Sequence, residues 1–171
     1  MQAEKEPAPA LGHYSSTQIA LHWTIVALIL VQWLTHDAME DFWDRVEDGE
    51  AFGLPGDPVA LLHMVSGASI LLLMLVRIVV RLRLGAPPLP AGMPRILKLA
   101  AHLDHFAFYA VLILLPLSGS AAVFLGIEDA ADLHGTLFLL LLLLLGAHIG
   151  GVAYHTFVRD DAILWRMIRS R

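Results

Sequence analysis

The feature that most constrains this chain is an apolar run framed by two histidines. Between His134 and His148 stand Leu137, Phe138, Leu139 and then six consecutive leucines from Leu140 to Leu145. A stretch of that length without a charge predicts a membrane-spanning helix. Inside such a helix an ionisable ring is costly and points to function. Fourteen residues correspond to about 21 Å of helix rise. At about 100° per residue the two rings return to within roughly 40° of one another around the axis. One face of one helix thus carries two imidazoles at two depths.

The rest of the chain agrees with a membrane protein. Of its 171 residues 57% are hydrophobic and only 16% charged, and the mean hydropathy is +0.68, beyond the range of soluble domains. The expected fold class is all-α, a membrane four-helix bundle. Four spans are predicted, at about Ile19–Leu34, Val59–Leu82, Leu99–Leu125 and Leu133–Phe157. Residues 1–18 read as a mobile N-terminal tail with no secretory signal, since Glu4 and Glu6 interrupt it and no apolar core follows. The bundle occupies 19–158, and 159–171 is a basic C-terminal tail with a short surface helix around Ile163, Leu164, Met167 and Ile168. Pro116 should kink the third span.

Between the first two spans Met39, Phe42, Trp43 and Val46 recur at helical spacing, so a short interfacial helix and a plain connecting loop are both compatible with His36–Pro58. A short acidic loop, with Glu128, Asp129 and Asp132, precedes the fourth span. Together these two connections hold eleven carboxylates and a single basic residue, Arg45. The other ten Lys and Arg residues lie on the opposite side, so the positive-inside rule places both termini in the cytoplasm. The basic residues border apolar spans and form no soluble basic face, which excludes nucleic-acid binding.

With that topology four histidines fall at two levels. His22 in span one and His148 in span four lie toward the inner side, whereas His63 in span two and His134 in span four lie toward the outer side. Each pair can bracket one haem iron through neutral imidazole nitrogens. The chain has no cysteine, so covalent haem attachment through C-x-x-C-H, thiolate-held zinc and iron–sulfur clusters are excluded. Two axial histidines leave no open iron position, which suits electron transfer rather than oxygen binding. Gly67, Gly135, Ala147, Gly150 and Gly151 suit either a close porphyrin face or helix packing. Arg77 follows His63 by the same fourteen residues and is a candidate propionate partner or an interfacial anchor. His102 and His105 compete for the inner haem. With His155 they lie at the cytoplasmic margin, where His105, His155 and Arg159 are candidates for a quinone site. His13 and His36 read as ordinary solvent-exposed residues. A haem-free alternative makes the histidines a proton or metal path.

The segments YSSTQIALHW (Tyr14–Trp23), LHMVSGASILLLMLVRIVVRL (Leu62–Leu82), AHLDHFAFYAVLILLPL (Ala101–Leu117) and Leu133–Asp160 resemble the bacterial cytochrome b561 family. The likeness covers all four spans, and the second and fourth segments are its specific parts. It implies a four-helix inner-membrane cytochrome with two non-covalent haems b, whose axial histidines come from the first, second and fourth spans. Those positions correspond to His22, His63, His134 and His148, the residues chosen above on depth. It implies electron exchange with ubiquinone, and the family includes a superoxide:ubiquinone oxidoreductase. The acidic outer loops depart from what such an enzyme wants, because they repel an anion such as superoxide and attract a basic periplasmic electron-transfer protein. The expected function is transmembrane electron transfer between a periplasmic partner and the quinone pool, with superoxide oxidation as the alternative.

Overall fold

The computed structural model describes residues 13–89, 92–161 and 163–169. Among them every regular element is helical: α1 (Ser16–Leu34), α2 (His36–Glu47), α3 (Pro58–Leu84), α4 (Arg95–Leu125), α5 (Glu128–Phe157) and α6 (Ile163–Arg166). Helices α1, α3, α4 and α5 are each long and apolar enough to cross a membrane. Exposed leucines along them, such as Leu30, Leu72, Leu114 and Leu143, form the surface that lipid would cover.

Local chemistry sets where each helix starts. Ser15 caps α1 in a capping box with Gln18, so the helix begins three residues before the apolar span and takes in part of the expected tail. Asp57 caps α3 through its side chain and Pro58 occupies the first turn, where a missing N–H costs nothing. The acidic segment before the fourth span is not a loop. Glu128 and Asp129 lie in the first turn of α5, where carboxylates complement the helix dipole. The α4–α5 connection therefore shrinks to Gly126 and Ile127, and Gly126 makes the turn at φ +65°, a conformation a side chain would disfavour. Helix α4 continues through Pro116.

Of the two readings for the segment after α1, the helix is the one found. In α2 the Phe42 ring is buried, together with Ala60 of α3 and Val123 of α4, and Met39, Trp43 and Val46 pack around them. The apolar stripe thus docks α2 onto the bundle. In the C-terminal segment only one helical turn forms, and a turn carries the chain through Met167 and Ile168.

The long helices pack in the series α1–α3–α4–α5, with α4 against α5 the most extensive contact. All four meet in one apolar layer: Ile25 of α1, Ile70 and Met74 of α3, Val111, Leu112 and Leu115 of α4, Leu137 and Leu141 of α5. Along each helix this layer falls between the two histidine depths. At the end of the bundle where α1 begins and α5 finishes, the terminal end, side chains tie the connections together. Gln18 donates to the Gly85 carbonyl at 2.9 Å, Trp23 Nε1 to the Met167 carbonyl at 2.7 Å, and Arg166 to the Pro88 carbonyl at 2.8 Å. The opposite end is the α2 end.

Candidate functional site

At the α2 end, His63 in the second turn of α3 and His134 in the second turn of α5 come within Coulombic range of each other. Each ring is fixed by its Nδ1. Thr35 Oγ1 donates its own proton to the Val31 carbonyl at 2.8 Å, so at 3.2 Å it accepts from His63 Nδ1. Gln32 Nε2 holds the same turn of α3 from behind, donating to the His63 carbonyl and to Ser66 Oγ, both at 2.6 Å. A glutamine inside a membrane span is thereby satisfied and serves to dock α1 on α3.

His134 Nδ1 donates to the Leu115 carbonyl of α4 at 2.8 Å, and Ser118 Oγ lies 3.3 Å from the same nitrogen. The ring lies so close to α4 that a Cβ added at Gly119 would stand 3.0 Å from its Nδ1 and 3.1 Å from its Cε1. Gly119 is the close approach that the bundle needs. At Gly135, Gly146, Gly150 and Gly151 a Cβ would meet nothing within 4 Å, and at Gly67 it would only touch Gln32.

At the terminal end, His22 of α1 has His148, His105 and Arg77 within Coulombic range. His148 Nδ1 donates to Asp104 Oδ2 of α4 at 3.0 Å. His105, one residue on, donates its Nδ1 to the Ala101 carbonyl at 2.7 Å, and its ring packs edge-on against His148 with centroids 5.7 Å apart. Phe108 meets the other side of His148 edge-on at 5.4 Å. His22 itself stacks edge-on with Trp23 at 5.3 Å.

A carbonyl, a carboxylate or an already donating hydroxyl can only accept, so His63, His134, His148 and His105 all carry the proton on Nδ1. Their Nε2 lone pairs have no hydrogen-bond partner among the described residues. This is the arrangement of metal-binding histidines, in which the non-ligating nitrogen is anchored to fix tautomer and orientation. The donor set is neutral imidazole at both levels, which fits haem iron.

Arg77 shares an open cleft with Tyr14, Gln18, Arg81, Tyr109 and Met167 beside the terminal-end histidines. A neighbouring cleft is lined by Tyr14, Arg81, His102 and His105, with Ala86, Pro87, Leu89 and Ala101. The three residues expected for a quinone site have different neighbours. His105 lines this cleft, whereas His155 and Arg159 both turn to Asp161, at 2.7 and 3.1 Å. Asp160 adopts a left-handed conformation at φ +53°. The Asp161 amide then bonds back to the His155 carbonyl at 2.9 Å, finishing α5.

The hydrogen bond from His155, and then the hydrogen bond and charge of Arg159, hold the Asp161 carboxyl below its ordinary value of 3.8. A lowered carboxyl value means that the contact contributes at neutral pH and is lost as pH falls below 3.8 through that value. Protection against hydrogen exchange along α6, taken relative to the intrinsic rate at each pH, should therefore fall on acidification, and Asp161→Asn should show the lower protection already at neutral pH.

Beyond the expected site residues, the structure brings four more to the two histidine levels. His36 is half exposed, and its ring stacks on Phe138 of α5 at 5.4 Å, within Coulombic range of both His63 and His134. The Nδ1 acceptors, Thr35, Leu115 and Asp104, were not among the expected site residues. Asp104 had a signal, as an acid inside an apolar span; a backbone carbonyl or a threonine gives none.

Histidines at two depths inside a bundle of four membrane helices define a membrane electron-transfer protein of the b-cytochrome class. The chain belongs to the prokaryotic cytochrome b561 family, whose model matches residues 13–170, and membership implies binding of haem b. Among its relatives are cytochrome b562 of Cereibacter sphaeroides, 34% identical over 92% of this chain and 96% of that protein. A protein of Yersinia pestis named probable superoxide oxidase CybB is 31% identical over 65% of this chain and 58% of its own length. Cytochrome b561 homolog 1 of Escherichia coli is 25% identical over 94% and 99%.

Proposed function

We propose that the chain carries electrons across a bacterial inner membrane through two bis-histidine haems b. His22 and His148 would hold one at the cytoplasmic side, and His63 and His134 the other at the periplasmic side. Support comes above all from the anchored rings: three of these four histidines have Nδ1 engaged by an acceptor on a neighbouring helix, which leaves Nε2 for iron. Haem b, when bound, supplies a one-electron ferric–ferrous couple, and two axial imidazoles keep substrates off the metal. The apolar layer through Ile25, Met74, Leu112 and Leu141 lies between the two levels and excludes water from the path. Arg77, beside His22, is suited to pair with a propionate, and Arg81, Tyr14 and Tyr109 add donors in the same cleft.

Orientation rests on charge. Among the described residues eight Lys and Arg belong to the terminal end and Arg45 alone to the α2 end, which also holds eleven carboxylates; this charge pattern favours termini in the cytoplasm. The acidic α2 end suits a basic periplasmic electron-transfer protein, whose approach it would steer. Quinone is proposed as the partner at the cytoplasmic side, with its head group in the cleft beside His102 and His105, since His155 and Arg159 are occupied by Asp161.

Pyridine haemochrome analysis of the purified full-length protein tests this directly, with two haems b per chain expected. A colourless protein that takes up no haem on supplementation would leave only the haem-free proton or metal path. The name of the Yersinia relative favours a second reading, superoxide oxidation with quinone as acceptor. Stopped-flow mixing with superoxide separates the two, because haem reduction no faster than background rules that reading out.

A further inference from the structure

We infer that Asp104 is a positioning residue that makes the two histidine levels electronically unequal and holds the cytoplasmic-side haem at the lower potential it would not otherwise have. This role presupposes the bis-histidine ligation proposed above. Anchors on the two levels differ in kind. At the periplasmic side His134 donates to the neutral Leu115 carbonyl at 2.8 Å, and that oxygen is shared with Ser118 Oγ at 2.9 Å. His63 donates to a neutral threonine hydroxyl at 3.2 Å. At the cytoplasmic side His148 donates instead to a carboxylate at 3.0 Å.

The carboxylate is not a surface group that happens to be near. The Asp104 side chain is only 18% exposed, and its second oxygen, Oδ1, is buried without a hydrogen-bond partner. An acid facing the interior of a membrane bundle with half of its acceptor capacity unused is expensive. Its Oδ2 is committed to one donor, the Nδ1–H of His148. A carboxylate draws that proton more strongly than a carbonyl does and raises the basicity of the opposite nitrogen. A more basic Nε2 favours ferric over ferrous iron, and so does a negative charge at this distance. Both effects lower the potential of the haem that His148 holds.

Asn in place of Asp keeps an acceptor and the size of the side chain but removes the carboxylate. In Asp104→Asn both haems are therefore expected to remain, while redox titration of the purified protein shows one midpoint potential shifted upward and the other unchanged. The low-spin electron paramagnetic resonance signal of that haem should move with it. A purely structural role would leave potential and signal as in the wild type, and that result would overturn the inference while leaving two-haem ligation intact. A wild-type protein without two haems would overturn both. Should the asparagine variant lose haem on purification, redox titration of the same variant in native membranes decides the matter. One midpoint potential shifted upward there supports the inference, and both midpoints at their wild-type values, or the haem missing there as well, overturn it.

Discussion

Replacing His134 with alanine is expected to lower the haem content from two per chain to about one and to abolish a single redox wave. His134 would supply one of two axial bonds at its level, and nothing nearby replaces it equally well. His36 comes within Coulombic range, but its ring is held on Phe138 and is half exposed. His22 and His148 lie about 21 Å further along the helices, across the apolar layer, so their haem should keep its potential and its spectrum. Retention of both haems in the variant, measured by pyridine haemochrome and redox titration, would refute the pairing of His134 with His63.

The second large effect is expected at a residue with no functional group at all. A Cβ at position 119 would lie 3.0 Å from His134 Nδ1, and valine adds two further methyl groups at the same place. The ring must then leave the Leu115 carbonyl or α4 must retreat from α5, and overpacking of this kind costs about 1–3 kcal/mol. That corresponds to roughly 5- to 150-fold weaker retention of the haem that His134 would hold. Gly119→Val should lose this haem during purification in detergent while the other stays bound. Gly146→Val, at an exposed α5 position far from His134 with open space around it, is the control and should keep this haem as the wild type does. Equal haem loss in both would show that packing at Gly119 is not special.

How much of this was legible beforehand depends on the distance over which each interaction acts. The four spans were readable because membrane insertion demands a long apolar run, and His134 and His148 could be placed on one face by counting residues. The start of α5 was misread because Glu128, Asp129 and Asp132 are polar, and polarity marks a loop unless the helix dipole is taken into account. The α2 stripe was ambiguous until Phe42 found Ala60 and Val123 to bury against. Anchors of the rings were the hardest to foresee. Asp104 and His148 are separated by 44 residues and Leu115 and His134 by 19, so their pairing depends on how α4 lies against α5. The same packing brings Gly119 against the His134 ring and leaves Gly146 open.

The apolar layer between the two histidine levels has an electrical consequence. The layer lies between levels roughly 21 Å apart, a separation of about two-thirds of a hydrocarbon core of about 30 Å. Ions cannot enter it, so the voltage across the membrane falls largely over these few leucines and their neighbours. An electron moved between the levels exchanges work with that field, roughly 1.5 kcal/mol for each 100 mV. With the cytoplasm negative, inward transfer runs uphill and outward transfer downhill. Respiratory voltage would thus act as a brake or a motor on traffic through this protein, depending only on which face the electron enters.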